Sequence, residues 1–175
     1  MKEGAQYNNW KVDLKGTQKY LARIPELFMQ GYTLHSIEDS DNIILQKMDK
    51  YSGIDWIAES NKRLVTVAAR IQYDTTFRTF TIRTKRRTGA KTEYEKRVEA
   101  IKNGFLYPTY TCQAYFDTST GLLDGGAIMK TVDLFESLEK SYNKSKSDNE
   151  FVYKSFTDIK EEGYSIKIVG PELPF

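Results

Sequence analysis

One cysteine and one histidine in 175 residues set the first limits on what this chain can do. Cys112 alone forms no internal disulfide, and with only His35 beside it a structural zinc site of the Cys/His type is excluded. Catalysis by a Ser or Cys nucleophile with a histidine partner would fall on His35 alone, which argues against it. No apolar run reaches the roughly 18 residues of a membrane span. Met1 to Trp10 lacks the apolar segment of a secretory signal. Charge of one sign is also missing, since 26 Lys and Arg stand against 24 Asp and Glu. The global balance therefore advertises neither nucleic acid nor a membrane, and only the distribution of charge can. The expectation is a soluble cytoplasmic protein with no membrane partner, whose chemistry rests on carboxylates, amides and cations.

What is present is enough for a core. Hydrophobic residues make up 39% of the chain and aromatics 13%, too many for a disordered segment. No repeat or long linker divides it, so one domain is expected over 1–175. Its core lies at about 15–140, a surface loop at 142–149 (YNKSKSDN), and a peripheral C-terminal segment at 150–175. Tyr20, Leu21, Ile24, Leu27 and Phe28 recur at helical spacing over about Lys15 to Gln30, with Pro25 set to kink the helix or start a second one. The period then changes. Asn42–Asp49, Gly53–Glu59, Leu64–Asp74 and Phe77–Thr84 read as strands of an antiparallel meander. A helix at about Thr92 to Asn103, strands at Thr109–Phe116 and Leu122–Met129, and a helix from about Val132 to Ser141 follow. Thr131 or Asp133 is placed to cap that last helix. Ser147–Phe156 and Tyr164–Val169 add peripheral strands. The fold class is α+β, an αβββαβ-type core with a central mixed sheet flanked by helices.

The stretch from Gln46 to Gln72 carries the candidate chemistry. Asp49 and Asp55 bracket a tight Lys-Tyr-Ser-Gly turn, which puts both near one end of a hairpin. Asp55 stands among Ile54, Trp56 and Ile57, where a charge is costly unless it is paired or holds a metal. Arg70 sits in a comparable apolar strand, and Gln72, two residues on, shares its face. Asp55 and Arg70 read equally well as a buried ion pair with no catalytic role.

A helix, then a hairpin carrying Gly53-Ile54-Asp55, then a strand ending in Arg70 and Gln72 resembles the PD-(D/E)XK nuclease superfamily over roughly Lys15 to Phe116. The resemblance implies a restriction-endonuclease-like fold and a metal-dependent DNA endonuclease or nickase, in the style of a phage or mobile element. The family's aspartate falls on Asp55. Its acid, lysine and trailing polar residue fall on Ala68, Arg70 and Gln72, and a helical glutamate on Glu26. Mg²⁺ or Mn²⁺ would then be held by Asp55 with Asp49 or Glu26, Arg70 would steady the scissile phosphate, and Gln72 would orient water or phosphate. Two positions depart from the pattern. Ala68 cannot ligate a cation, and Arg70 does not readily lose a proton to activate water. A catalytically inactive relative that binds DNA or inhibits a protein partner therefore stands as the alternative, and a homodimer also stays open.

The second feature is a basic block. Between Arg78 and Lys102 nine Lys and Arg face three Glu, a local excess of six. Arg78, Arg83, Lys85, Arg86, Arg87 and Lys91 are the candidate DNA-binding residues, with Lys85 to Arg87 on an exposed loop able to follow a phosphate backbone. A solvated loop without a ligand is the plainer reading. Cys112 reads as an inert core thiol, and Gly121 and Gly125-Gly126 as turn glycines.

Overall fold

The structure, a computed structural model, describes residues 20, 23–37, 40–75, 77–85, 89–144 and 150–171. The first described helix, α1 (Ile24–Phe28), has Pro25 in its first turn, where a missing N–H costs nothing. Strands β1 (Thr33–Ser36), β2 (Trp56–Ser60) and β3 (Arg63–Tyr73) form an antiparallel meander. A short helix α2 (Ile43–Lys47) and a π-type turn at Met48–Ser52 lie between β1 and β2. After β4 (Thr79–Arg83) comes α3 (Glu93–Asn103), which leads into β5 (Tyr110–Phe116). The chain closes with β6 (Leu123–Lys130), α4 (Thr131–Lys140), β7 (Asn143–Lys144), β8 (Phe151–Ser155), α5 (Phe156–Glu161) and β9 (Ile166–Val169).

Six strands make the main sheet, in the order β1-β2-β3-β5-β6-β9. Only β3 and β5 run parallel, and α3 lies on the connection between them. Helix, three-stranded meander, helix and parallel strand reproduce the αβββαβ order, so the α+β class with a mixed, helix-flanked sheet is what the chain adopts. Alternation along the strands splits the core between the two sheet faces. Ile24 and Phe28 of α1 pack on one face with Ala58, Val67, Cys112, Ala114 and Phe116. Tyr115, Ala127 and Met129 on the other face meet Leu134, Phe135 and Leu138 of α4, with Phe80, Val152 and Phe156. Cys112 is fully buried and burial pushes its thiol far up, which leaves it inert.

Local chemistry explains several boundaries. Thr92 caps α3 reciprocally: its hydroxyl accepts the Glu95 N–H, and the Glu95 carboxylate accepts the Thr92 N–H at 2.7 Å. Asn42 caps α2 by accepting the Ile44 N–H at 2.9 Å, and this overturns the strand expected at Asn42–Asp49. The β-branched pair Ile43-Ile44 suggested a buried strand, yet both side chains are exposed. The meander's first strand is instead β1, around His35. Phe77–Thr84 does yield β4, but in a second sheet of order β4-β8-β7. Side chains rather than a ladder tie it to the main sheet: Gln113 accepts the Thr81 N–H at 3.0 Å, and the Tyr115 hydroxyl donates to the Thr79 carbonyl at 2.6 Å.

Three further expectations are corrected. Neither Thr131 nor Asp133 caps α4, because Thr131 is already its first residue and its hydroxyl is turned to Thr111 at 2.9 Å. Residues 150–171 of the C-terminal segment are not peripheral: β8 joins the second sheet, β9 extends the main one, and Val152, Phe156 and Ile159 are buried. Gly125 and Gly126 lie within β6, not in a turn. Among the described residues, no helix is long and apolar enough to cross a membrane.

At Gly126 the Phe28 ring of α1 lies directly over the strand. A Cβ there would sit 2.6 Å from the Phe28 ring and 2.7 Å from the Gln113 carbonyl oxygen. Gly126→Ala is therefore expected to destabilise the fold by about 1–3 kcal/mol through overpacking. The midpoint of urea denaturation measures this, and an unchanged midpoint would mean that the seam relaxes.

A candidate active-site cleft between the main sheet and α3

The turn after α2 positions the acids. Gly53 adopts the left-handed conformation (φ 62°) and donates its N–H to the Asp49 carbonyl at 2.9 Å, which reverses the chain. Asp49 and Asp55 consequently reach the same place. Asp55 is tied twice to β3: its N–H donates to the Val67 carbonyl at 3.0 Å, and its Oδ2 accepts the Ala69 N–H at 2.8 Å. From β3 comes Arg70, from β4 Arg83, and from α3 Glu93, Lys96 and Arg97. Together with the two aspartates they line a cleft of about 280 Å³.

The three acids and four cations do not simply pair off. Arg97 is buried, donating through Nη1 to the Glu93 carboxylate and through Nη2 to the Gly53 carbonyl at 3.1 Å. It thus clamps α3 to the turn that carries the aspartates. Burial by itself would raise the Glu93 carboxyl, but Arg97, with Arg70 and Arg83 behind it, holds it below the usual value. Asp55 goes the other way. Burial raises it to about 7, against the Ala69 N–H and Arg97, and Glu93 and Asp49 add repulsion. Burial also raises Asp49, opposed by Lys96. Arg70 is pulled below its ordinary value by burial, opposed by Glu93. The Arg70 and Arg83 guanidiniums both lie against the Phe151 ring, at 5.1 and 5.4 Å.

Of the residues singled out from sequence, Asp49, Asp55 and Arg70 meet in the cleft. Arg70 is not the cation that acts on Asp55; Arg97 is. Gln72 shares the face of Arg70 but lines the adjoining pocket. Glu26 does not join the group. It is exposed on α1, which packs against the odd-numbered residues of β3, whereas Arg70 belongs to the opposite face. Glu93 and Arg97 were hidden in the basic block, and their i, i+4 spacing on a helix was the signal that could have found them.

The basic block itself disperses. Arg83 points to the cleft, and its Nε is buried without a hydrogen-bond partner. Arg78 is bound to Asp124 at 3.1 Å and packed over Gly125. Lys85 and Lys91 are exposed but paired, with Glu150 and Glu99. Arg86 and Arg87 lie outside the described residues.

Among the described residues, no three His, Cys, Asp or Glu side chains form a self-sufficient metal cage. Mg²⁺ does not ask for one, because it is commonly bound by one or two carboxylates with water and substrate phosphate completing the shell. Asp55 and Asp49 fit that demand, since a buried acid raised by its own burial and by neighbouring acids gains most from a cation.

No protein-family model matches the sequence, and no curated protein does. Among solved structures the chain is similar to Hjc, a Holliday junction resolvase of the archaeal hyperthermophile Archaeoglobus fulgidus. Identity is 10% and the TM-score 0.39, over 84% of this chain and 88% of that one.

Proposed function

We propose that the chain is a divalent-metal-dependent deoxyribonuclease that cuts or nicks DNA in this cleft. One observation carries the reading: Lys96 of α3 lines the same cleft as Asp49 and Asp55, a lysine of the kind that Arg70 leaves missing from β3. A divalent cation on Asp55 and Asp49 would polarise the scissile phosphate and lower the pKa of bound water. Arg70 and Arg83, braced on Phe151, are fixed cations for the phosphate oxygens and need no reorganisation as charge develops. Lys96 stands beside Asp49, its ammonium donating to the Lys50 carbonyl at 2.5 Å, and is placed to act as a cation or proton donor toward the leaving oxygen. Glu93 fixes Arg97 and keeps α3 in register with the turn.

A non-cleaving DNA-binding protein is the second reading, favoured by Ala68 and Arg70 on β3. Supercoiled plasmid with Mg²⁺ or Mn²⁺ separates the two. The first reading expects metal-dependent nicking that Lys96→Ala slows about a hundredfold while DNA retention persists. Salt-sensitive retention without nicking supports the second reading. A protein that does neither refutes both.

A further inference from the structure

Arg70 lines two cavities. Beyond the acidic cleft, between β3 and the second sheet, lies a separate pocket of about 460 Å³. Its wall is mostly apolar and aromatic: Phe77, Phe151 and Tyr153 surround it, with Gln72 on the β3 side and Lys144 at the other. Phe151 and Tyr153 share the face of β8 that looks away from the core, because Val152 and Lys154 between and beside them are buried. Phe77 is 71% exposed, an aromatic ring held in water at the pocket's edge. Gln72 adds a polar atom with nothing to do: its Oε1 is buried and has no hydrogen-bond partner. A buried unpaired amide oxygen is costly, and a ligand that brings an N–H removes the cost.

We propose that this pocket receives an unpaired nucleobase of the strand whose phosphate lies at Arg70, stacked on Phe77 and Tyr153 and hydrogen-bonded to the Gln72 amide. The proposal rests on the cleft being a DNA site, and goes beyond it in naming the part of the substrate that leaves the helix stack. Chemistry favours this occupant over a purely apolar one on three counts. Aromatic rings suit the flat π-face that every base has. A side-chain amide suits the polar edge of a base, which a hydrocarbon lacks. Arg70 joins the pocket to the cleft, so a base and its own phosphate are served by adjoining walls. Lys144 adds a cation suited to the next phosphate along the strand.

The test compares two single-stranded oligonucleotides of equal length in EDTA, so that no strand is cut: one intact, one abasic at a central nucleotide. Each carries 2-aminopurine next to that position. The wild-type chain is expected to bind the intact strand about tenfold more tightly than the abasic one. Phe77→Ser and Gln72→Leu are expected to reduce that ratio to about one, with binding of the abasic strand unchanged. Phe77 is exposed, so its replacement leaves the fold intact, and circular dichroism checks this for both variants. Equal binding of the two strands by the wild-type chain overturns the pocket and leaves the nuclease reading standing. A base-dependent ratio in a protein that never nicks plasmid supports the pocket and refutes the nuclease. Failure to bind either strand overturns the pocket, and the plasmid assay with Mg²⁺ decides the nuclease reading separately.

Discussion

Asp55→Asn is expected to abolish metal-dependent nicking, by more than about a hundredfold, and at the same time to make the chain more stable at pH 8. Both effects have one cause. In the folded chain burial raises the Asp55 carboxyl to about 7 from an ordinary 3.8. Its protonated form therefore favours the fold: that contribution is fully present below the unfolded value and is lost as pH rises through about 7. At pH 8 the wild-type chain carries a buried carboxylate that the sheet does not neutralise. Asparagine keeps an oxygen for the Ala69 N–H and removes the charge, a gain of roughly 2–4 kcal/mol. Denaturation midpoints from pH 5 to 8 should fall for the wild-type chain relative to the variant. Mg²⁺ at pH 8 should raise the wild-type midpoint and leave that of the variant unmoved, which reports the metal without any assay of cleavage. A variant that still nicks, or that is less stable at pH 8, would remove Asp55 from the site.

Arg97→Met should be the most damaging single change to the fold, costing about 3–5 kcal/mol. Arg97 is 2% exposed and satisfies both the Glu93 carboxylate and the Gly53 carbonyl. Without it Glu93 is a buried anion with its strongest partner gone, and the turn holding Asp49 and Asp55 loses its tie to α3. Lysine should recover only part of the loss, because one ammonium cannot reproduce the two-armed contact. Adding Glu93→Leu to Arg97→Met should restore much of the stability, since an ion pair replaced whole is far less costly than one halved. Acid narrows the gap as well. Arg97 holds Glu93 below its ordinary 4.5, so the stability it contributes is present above that value and fades as pH falls. Urea titrations of the three variants at pH 7 and pH 4 measure these differences. A single Arg97→Met variant as stable as wild type would mean that the clamp is ornamental.

Asp55 could be singled out from sequence for a local reason. A lone carboxylate flanked by Ile54 and Trp56 is conspicuous wherever the strand goes, and Gly53 announces the turn that brings Asp49 near it. Arg70 and Gln72 were placed on one face by the two-residue period alone. The same local logic failed at Ile43-Ile44, where apolar β-branched residues are exposed on a capped helix. Along the basic block, charge counted in sequence says nothing about direction. Arg83 turns inward to the cleft, Arg78 to Asp124, and Lys85 and Lys91 to carboxylates of their own.

Periodicity and the Gly53 turn were enough to read the α+β class and to single out Asp55, since each is written in neighbouring residues. Which side chains surround that acid was decided only in three dimensions. The parallel pairing of β3 with β5 forces the chain through α3, and that crossover carries Glu93, Lys96 and Arg97 back over a strand lying more than twenty residues earlier. Side chains that far apart in sequence meet because a parallel sheet demands a long return path, and no window of sequence short enough to read by pattern contains both ends of it.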